Sequence, residues 1–265
     1  MFMKMIDEYD FDYSSLGFKE YKLNDNIIIS SLNVKKENKL FNVGKYKILS
    51  CPNLFLCTHF QIEKIKKTFI KILKELVLSL KVDLFDEVLI VGLGNKNIQA
   101  DALGESVCCK ILSTRLLNKD LVKSNICTIC PNVQAFTGIK TFDIVNSLCK
   151  EIKPKLIILI DSLITNNIKR IGHSFQLSTC GIVPGGGVGG DKEISFKTTG
   201  VKCLTIGVPF MIDLKEISHN VNKSIIVTPK DIHKMVEECS KIIADSINIF
   251  FNKDLKKEEI YELLT

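Results

Sequence analysis

The chain has 265 residues, of which 46% are hydrophobic and 25% charged. That mixture excludes a disordered, collagen-like or low-complexity protein. Its 36 basic and 30 acidic side chains leave a net +6, spread along the chain, which does not mark a direct binder of nucleic acid.

The first residues reach the acids Asp7, Glu8 and Asp10 without an apolar run, which predicts no secretory signal. Apolar runs elsewhere are short, so no membrane span is expected. The ten cysteines are too sparse for a small disulfide scaffold and predict reduced thiols in the cytoplasm. Residues 27–32 (IIISSL) and 45–50 (KYKILS) read as strands of a β-rich N-terminal extension covering 1–60. Residues 61–80 read as a helix. There Ile62, Ile65, Phe69, Ile72, Leu73 and Leu76 recur at spacings of three and four, and lysines fill a solvated face.

From residue 86 short apolar runs alternate with helical stretches. Strands are expected at 88–91, 125–130, 156–160 and 201–206, and helices at about 101–118 and 141–152. Apolar runs without alternation suit strands buried on both faces. Near the C-terminus, Thr228 is expected to cap a helix opened by Pro229, and a short helix follows over 256–264. The expected fold class is α/β, a three-layer, mainly parallel sheet with helices on both faces, of phosphorylase/hydrolase-like type. The expected organisation is one domain over 1–265, with its core in 61–265.

Ligands of open α/β sheets gather at the carboxyl ends of strands. Asp101 follows the loop after the first core strand, and Asp161 follows the run 156–160. Two such carboxyls can act as general base and general acid, or hold a metal ion. The plain alternative is a helix cap at Asp101 and loop amides bonded by Asp161. The loop Gly92-Leu-Gly94-Asn95 is not a dinucleotide fingerprint, because Asn97 stands where the third glycine belongs. The glycine run 185–190 is not a phosphate loop, since Asp191 and Lys192 follow it. That glycine run is expected to be a turned loop beside a site, offering backbone amides to a substrate, or else a plain surface turn. Cys127 and Cys130 lie three apart in a strand, hence on opposite faces, and are read as inert thiols. Cys180, beside Gly181, is read as accessible.

The segments VLIVGLGNKNIQADALG (88–104), FTGIKTFD (136–143), LIILIDSL (156–163), GIVPGGGVG (181–189), IGVP (206–209) and IVTPKD (226–231) together resemble the spore germination protease family. The resemblance runs from about Lys45 to the C-terminus. It implies an endopeptidase of atypical aspartic type that degrades small acid-soluble spore proteins, with Asp101 and Asp161 as catalytic residues. With it, Gly92, Gly94, Asn95, Gly138, Gly181, Gly185, Gly186 and Gly187 are expected to bind substrate. It implies no cofactor, no resident metal, no direct contact with nucleic acid or membrane, a homo-oligomer, and action in the forespore or spore core. Departures from the family pattern at Lys140, Cys180 and Val183 leave a second reading, an inactive homologue that binds spore proteins or a sibling protease. A third is a metal-dependent peptidase resembling hydrogenase-maturation endopeptidases.

Overall fold

The computed structural model describes residues 16–38, 40–185, 192–216 and 225–264. Among the described residues nine strands form one sheet. They are β1 (Lys19–Asn24), β2 (Ile27–Val34), β3 (Gly44–Ser50), β4 (Glu87–Gly92), β5 (Asn125–Ile129), β6 (Leu156–Thr165), β7 (Ser174–Ser178), β8 (Lys202–Asp213) and β9 (Ile226–Val227). Their order is β1-β2-β3-β7-β8-β6-β4-β5, with β9 against β8. The helices are α1 (His59–Ser79), α2 (Leu103–Cys108), α3 (Gln134–Thr137), α4 (Thr141–Ile152), α5 (Phe196–Thr199), α6 (Ile232–Phe251) and α7 (Lys257–Leu264).

The sheet has two halves. Strands β5, β4, β6 and β8 are parallel, as the unbroken apolar runs predict. The pairs β1–β2, β2–β3, β3–β7 and β7–β8 are antiparallel, so the sheet as a whole is mixed. The N-terminal strands join the same sheet as the core through β3 and β7. The seam between the halves is narrow. Only Gln176–Gly207, Leu177–Ile206 and Ser178–Thr205 pair β7 with β8.

The parallel strands are mostly apolar because helices cover both their faces. Val88 and Ile90 of β4 pack with α1, α2 and α6, whereas Leu89 and Val91 pack with α4. On α1 the predicted stripe holds: Ile65, Phe69, Ile72, Leu73 and Leu76 are buried. A capping box fixes its start, where Thr58 Oγ1 accepts from the Gln61 amide and the Gln61 side chain accepts from the Thr58 amide. Among the described residues no helix is long and apolar enough to cross a membrane.

Several expectations need correction. The helix expected over 101–118 is only α2, six residues long. The chain leaves it because the amides of Thr114 and Arg115 both bond the Ile126 carbonyl of β5. Thr228 does not cap α6; its hydroxyl donates to the Phe210 carbonyl at 2.9 Å. Asp161 does not end its strand, since β8 runs far enough to keep pairing with β6 up to Thr165. Strand β7 was not expected at all.

Two contacts in this frame generate tests. At the start of α2 a Cβ on Gly104 would sit 2.3 Å from the Leu93 oxygen and 2.4 Å from its nitrogen. A Cβ on Gly92 would meet the Gly104 oxygen at 2.4 Å. The helix therefore rests backbone to backbone on the end of β4. Gly104→Ala is expected to cost about 2–3 kcal/mol in urea unfolding. On β7, Phe175 and Leu177 enter the helix-covered core, while Ser174, Gln176 and Ser178 face the other way. Gln176 is 2% exposed, and neither Nε2 nor Oε1 has a hydrogen-bond partner among the described residues. An unmet buried amide costs roughly 1–3 kcal/mol. Gln176→Leu is therefore expected to raise the unfolding midpoint; a lowered midpoint would show that the amide is satisfied.

Candidate active site

The site is built where β4 and β6 leave the parallel half. Strand β4 ends at Gly92, level with Ile160 of β6. The loop stays attached for one more bond, from the Leu93 amide to the Ile160 carbonyl at 2.8 Å. It then turns through Gly94, whose φ of +96° lies in the left-handed region. A Cβ there would lie 2.1 Å from the Asp101 backbone oxygen and 2.9 Å from its Oδ1. Conformation and space thus both require glycine. The next amide, Asn95 N–H, donates to Asp101 Oδ2 at 2.8 Å. The Asn95 side chain folds back to accept from the Asn97 amide at 3.0 Å.

Asp101 closes a single 3-10 turn, Gln99–Asp101, just ahead of α2. It is not the helix cap: Ala102 holds that position and no side chain caps it. Its carboxylate is instead gripped by the loop that precedes it. Ser162 Oγ accepts from the Leu103 amide at 3.4 Å and pins the first turn of α2 to β6.

Asp161 stands beside Ser162, one residue past the level at which β4 ends. It is 9% exposed, and Oδ1 accepts from the Ser162 amide at 2.9 Å. One hydrogen bond among the described residues is little compensation for a buried carboxylate. Burial first, and the charge of Asp101 second, push its carboxyl up to about 8. Burial also raises Asp101, which is only half-buried, against the opposing Asn95 amide. The two acids that are sixty residues apart in sequence therefore feel each other's charge. Among the described residues they belong to no cluster of three or more His, Cys, Asp or Glu able to hold a metal ion.

The glycines have different surroundings. Gly92 and Gly94 shape the ground under Asp101 and α2. Gly181 is pressed against the strand bridge of Ile182 and Ile194, where a Cβ would lie 2.0 Å from the Ile194 oxygen. Gly185 has a φ of +65°. Gly186 and Gly187, with most of the glycine run, lie outside the described residues. Gly138 is the left-handed cap of α3, with open space where a Cβ would stand.

Sequence reasoning gave no role to Gly207, which pairs with Asp161 across β6 and β8. A Cβ there would strike the Leu163 side chain at 2.6 Å. Cys180 is corrected: it is 5% exposed, and its thiol donates to Tyr46 Oη at 3.1 Å. It packs with Phe18, Phe41, Tyr46 and Ile48 under the N-terminal strands, whose cover the local sequence does not reveal. Burial raises its thiol, so it is not a reactive group.

The germination protease family profile matches residues 4–223. A germination protease of Clostridium acetobutylicum is 32% identical, with 88% of this chain and 86% of that protein covered. One from Clostridium tetani is 32% identical, with 93% and 91% covered. One from Clostridium perfringens is 28% identical, with 97% and 94% covered. A solved [NiFe] hydrogenase maturation protease from Thermococcus kodakarensis aligns with 61% of this chain and 92% of its own, at 19% identity and a TM-score of 0.32, too distant to bear on site or mechanism. The extent of the family match, together with relatives this similar over most of both chains, places the chain in the germination protease family, whose members are peptidases.

Proposed function

We propose that this chain is an endopeptidase that opens small acid-soluble spore proteins to degradation, using Asp101 and Asp161 as an acid–base pair. The observation that carries the reading is the contrast between the two carboxyls. Asp161 is buried and holds its proton to about pH 8, whereas Asp101 is half-buried and bound by an amide that favours its charged form. Environments that separate the acidities of two neighbouring groups divide the work of acid and base between them. Asp101, the more exposed of the two and held by the Asn95 amide, takes a proton from the attacking water. Asp161, protonated, gives one to the departing amine. The substrate, the spore-core location and a homo-oligomeric state come with the family resemblance.

The decisive experiment incubates the purified chain with a small acid-soluble spore protein. Asp101→Asn and Asp161→Asn are each expected to lower kcat/KM by at least about a hundredfold. Cleavage by the double variant at the wild-type rate would refute the mechanism. An intact wild type that binds the substrate without cutting it would favour the inactive homologue.

The same geometry sets two pH dependences. Activity is expected to fall as pH rises through about 8, where Asp161 loses its proton. Stability follows in the same direction. The folded chain keeps this proton up to about pH 8, and the unfolded chain releases it near the ordinary value of 3.8. Between those values unfolding releases a proton, so this group makes stability decline with rising pH, by about 1.4 kcal/mol per unit at most. Asp161→Asn is expected to flatten that slope in urea titrations between pH 5 and 8 and to unfold later than wild type at the upper end. An unchanged slope would show that Asp161 is not the proton holder.

A further inference from the structure

The described cysteines are all reduced, and one pair is brought together by the fold rather than by the sequence. Cys127 and Cys130 point to opposite faces as the pleat requires. Cys127 packs on the α4 side with its thiol toward the Val88 carbonyl. Cys130 directly follows β5 and faces α2. The parallel register pairs Val91 with Ile129, which brings the next residues, Gly92 and Cys130, level with each other. Strand neighbours stand about 4.8 Å apart. Cys108, the last residue of α2, lies over the same spot: a Cβ on Gly92 would be 2.9 Å from its sulfur. That sulfur also lies 3.9 Å from the Ile129 carbonyl. Gly92, having no side chain, leaves room for two thiols that interact directly.

We propose that Cys108 and Cys130 form a dithiol modification site, which a low-molecular-weight disulfide converts to an intramolecular disulfide by way of Cys130. Their situations differ as attack and resolution require. Cys130 is exposed and Cys108 is 7% exposed. The neighbouring Cys108 thiol lowers the Cys130 thiol below its ordinary value, with help from the Gly92 amide and Lys96 and against burial and Glu105. The same neighbour, and burial, raise Cys108. Exposure, thiolate character and an adjacent resolving thiol are the traits of an oxidation-sensitive cysteine. In the first step the Cys130 thiolate attacks one sulfur of the small disulfide. That S–S bond breaks, one thiolate leaves and takes up a proton, and a mixed disulfide remains. Cys108 then gives up its proton and attacks the Cys130 sulfur, expelling the second thiol. The small disulfide gains two electrons and two protons, and the protein loses them.

The site does not rest on the peptidase reading, and its test needs no activity. The full chain, in a Cys109→Ser background that removes the neighbouring exposed thiol, is treated with oxidised glutathione. Peptide mapping by mass spectrometry reads the product. A Cys108–Cys130 disulfide without retained glutathione is expected. Cys108→Ser, or Cys108→Ala if the serine variant folds poorly, should instead keep one glutathione on Cys130. Cys130→Ser should slow modification of Cys108 at least about tenfold. A stable adduct on Cys130 with Cys108 intact, or a bond from Cys130 to any other cysteine, would overturn the proposal.

Discussion

The contact on which the site depends has no side chain in it. Gly92 and Gly104 let the end of β4 and the start of α2 meet backbone to backbone. From that approach the rest follows in order. The chain between the two glycines has to turn back on itself, Gly94 takes the left-handed conformation, and the Asn95 amide meets the Asp101 carboxylate. Ser162 then ties the helix to β6, which sets Asp101 over the strand that carries Asp161.

Asp161 is the electrostatic counterpart of this packing. A residue interior to a covered strand is usually apolar, and the neighbours Leu159, Ile160 and Leu163 are. A carboxyl in that row destabilises the fold when charged, and a buried amide with no partner among the described residues, as at Gln176, adds to the burden. Both lie on the same face of the sheet, with Gly207 between them in the register. Local cost of this kind gathers where a protein uses its polar groups rather than where it only packs.

Much of this was legible in the sequence, and the physical reason is periodicity. The stripe of α1, the bounds of α4 and the apolar runs of β4, β5 and β6 are set by contacts repeated at fixed spacing. The two aspartates were singled out because both stand near the ends of such runs in the sequence, although Asp161 lies inside β6. What was missed depends on partners distant in the chain. The length of α2 is decided by hydrogen bonds to β5, and the burial of Cys180 by the N-terminal strands. The sequence spacing put Cys127 and Cys130 on opposite faces but could not show that Cys108, at the end of α2, lies beside Cys130. Thr228 had the spacing of a cap, yet the carbonyl of Phe210 lay closer to hand.

The seam of three residue pairs between β7 and β8 gives the sheet an unequal mechanical design. Seven register pairs join β2 to β3 and five join β3 to β7, so the antiparallel half holds together more firmly than it holds to the rest. One of the seam's three pairs is Gln176 with Gly207, and Gly207 is the direct neighbour of Asp161. A load that parts the two halves is therefore delivered one strand away from the buried acid. The seam that joins the two halves and the buried acid of the parallel half occupy adjacent positions.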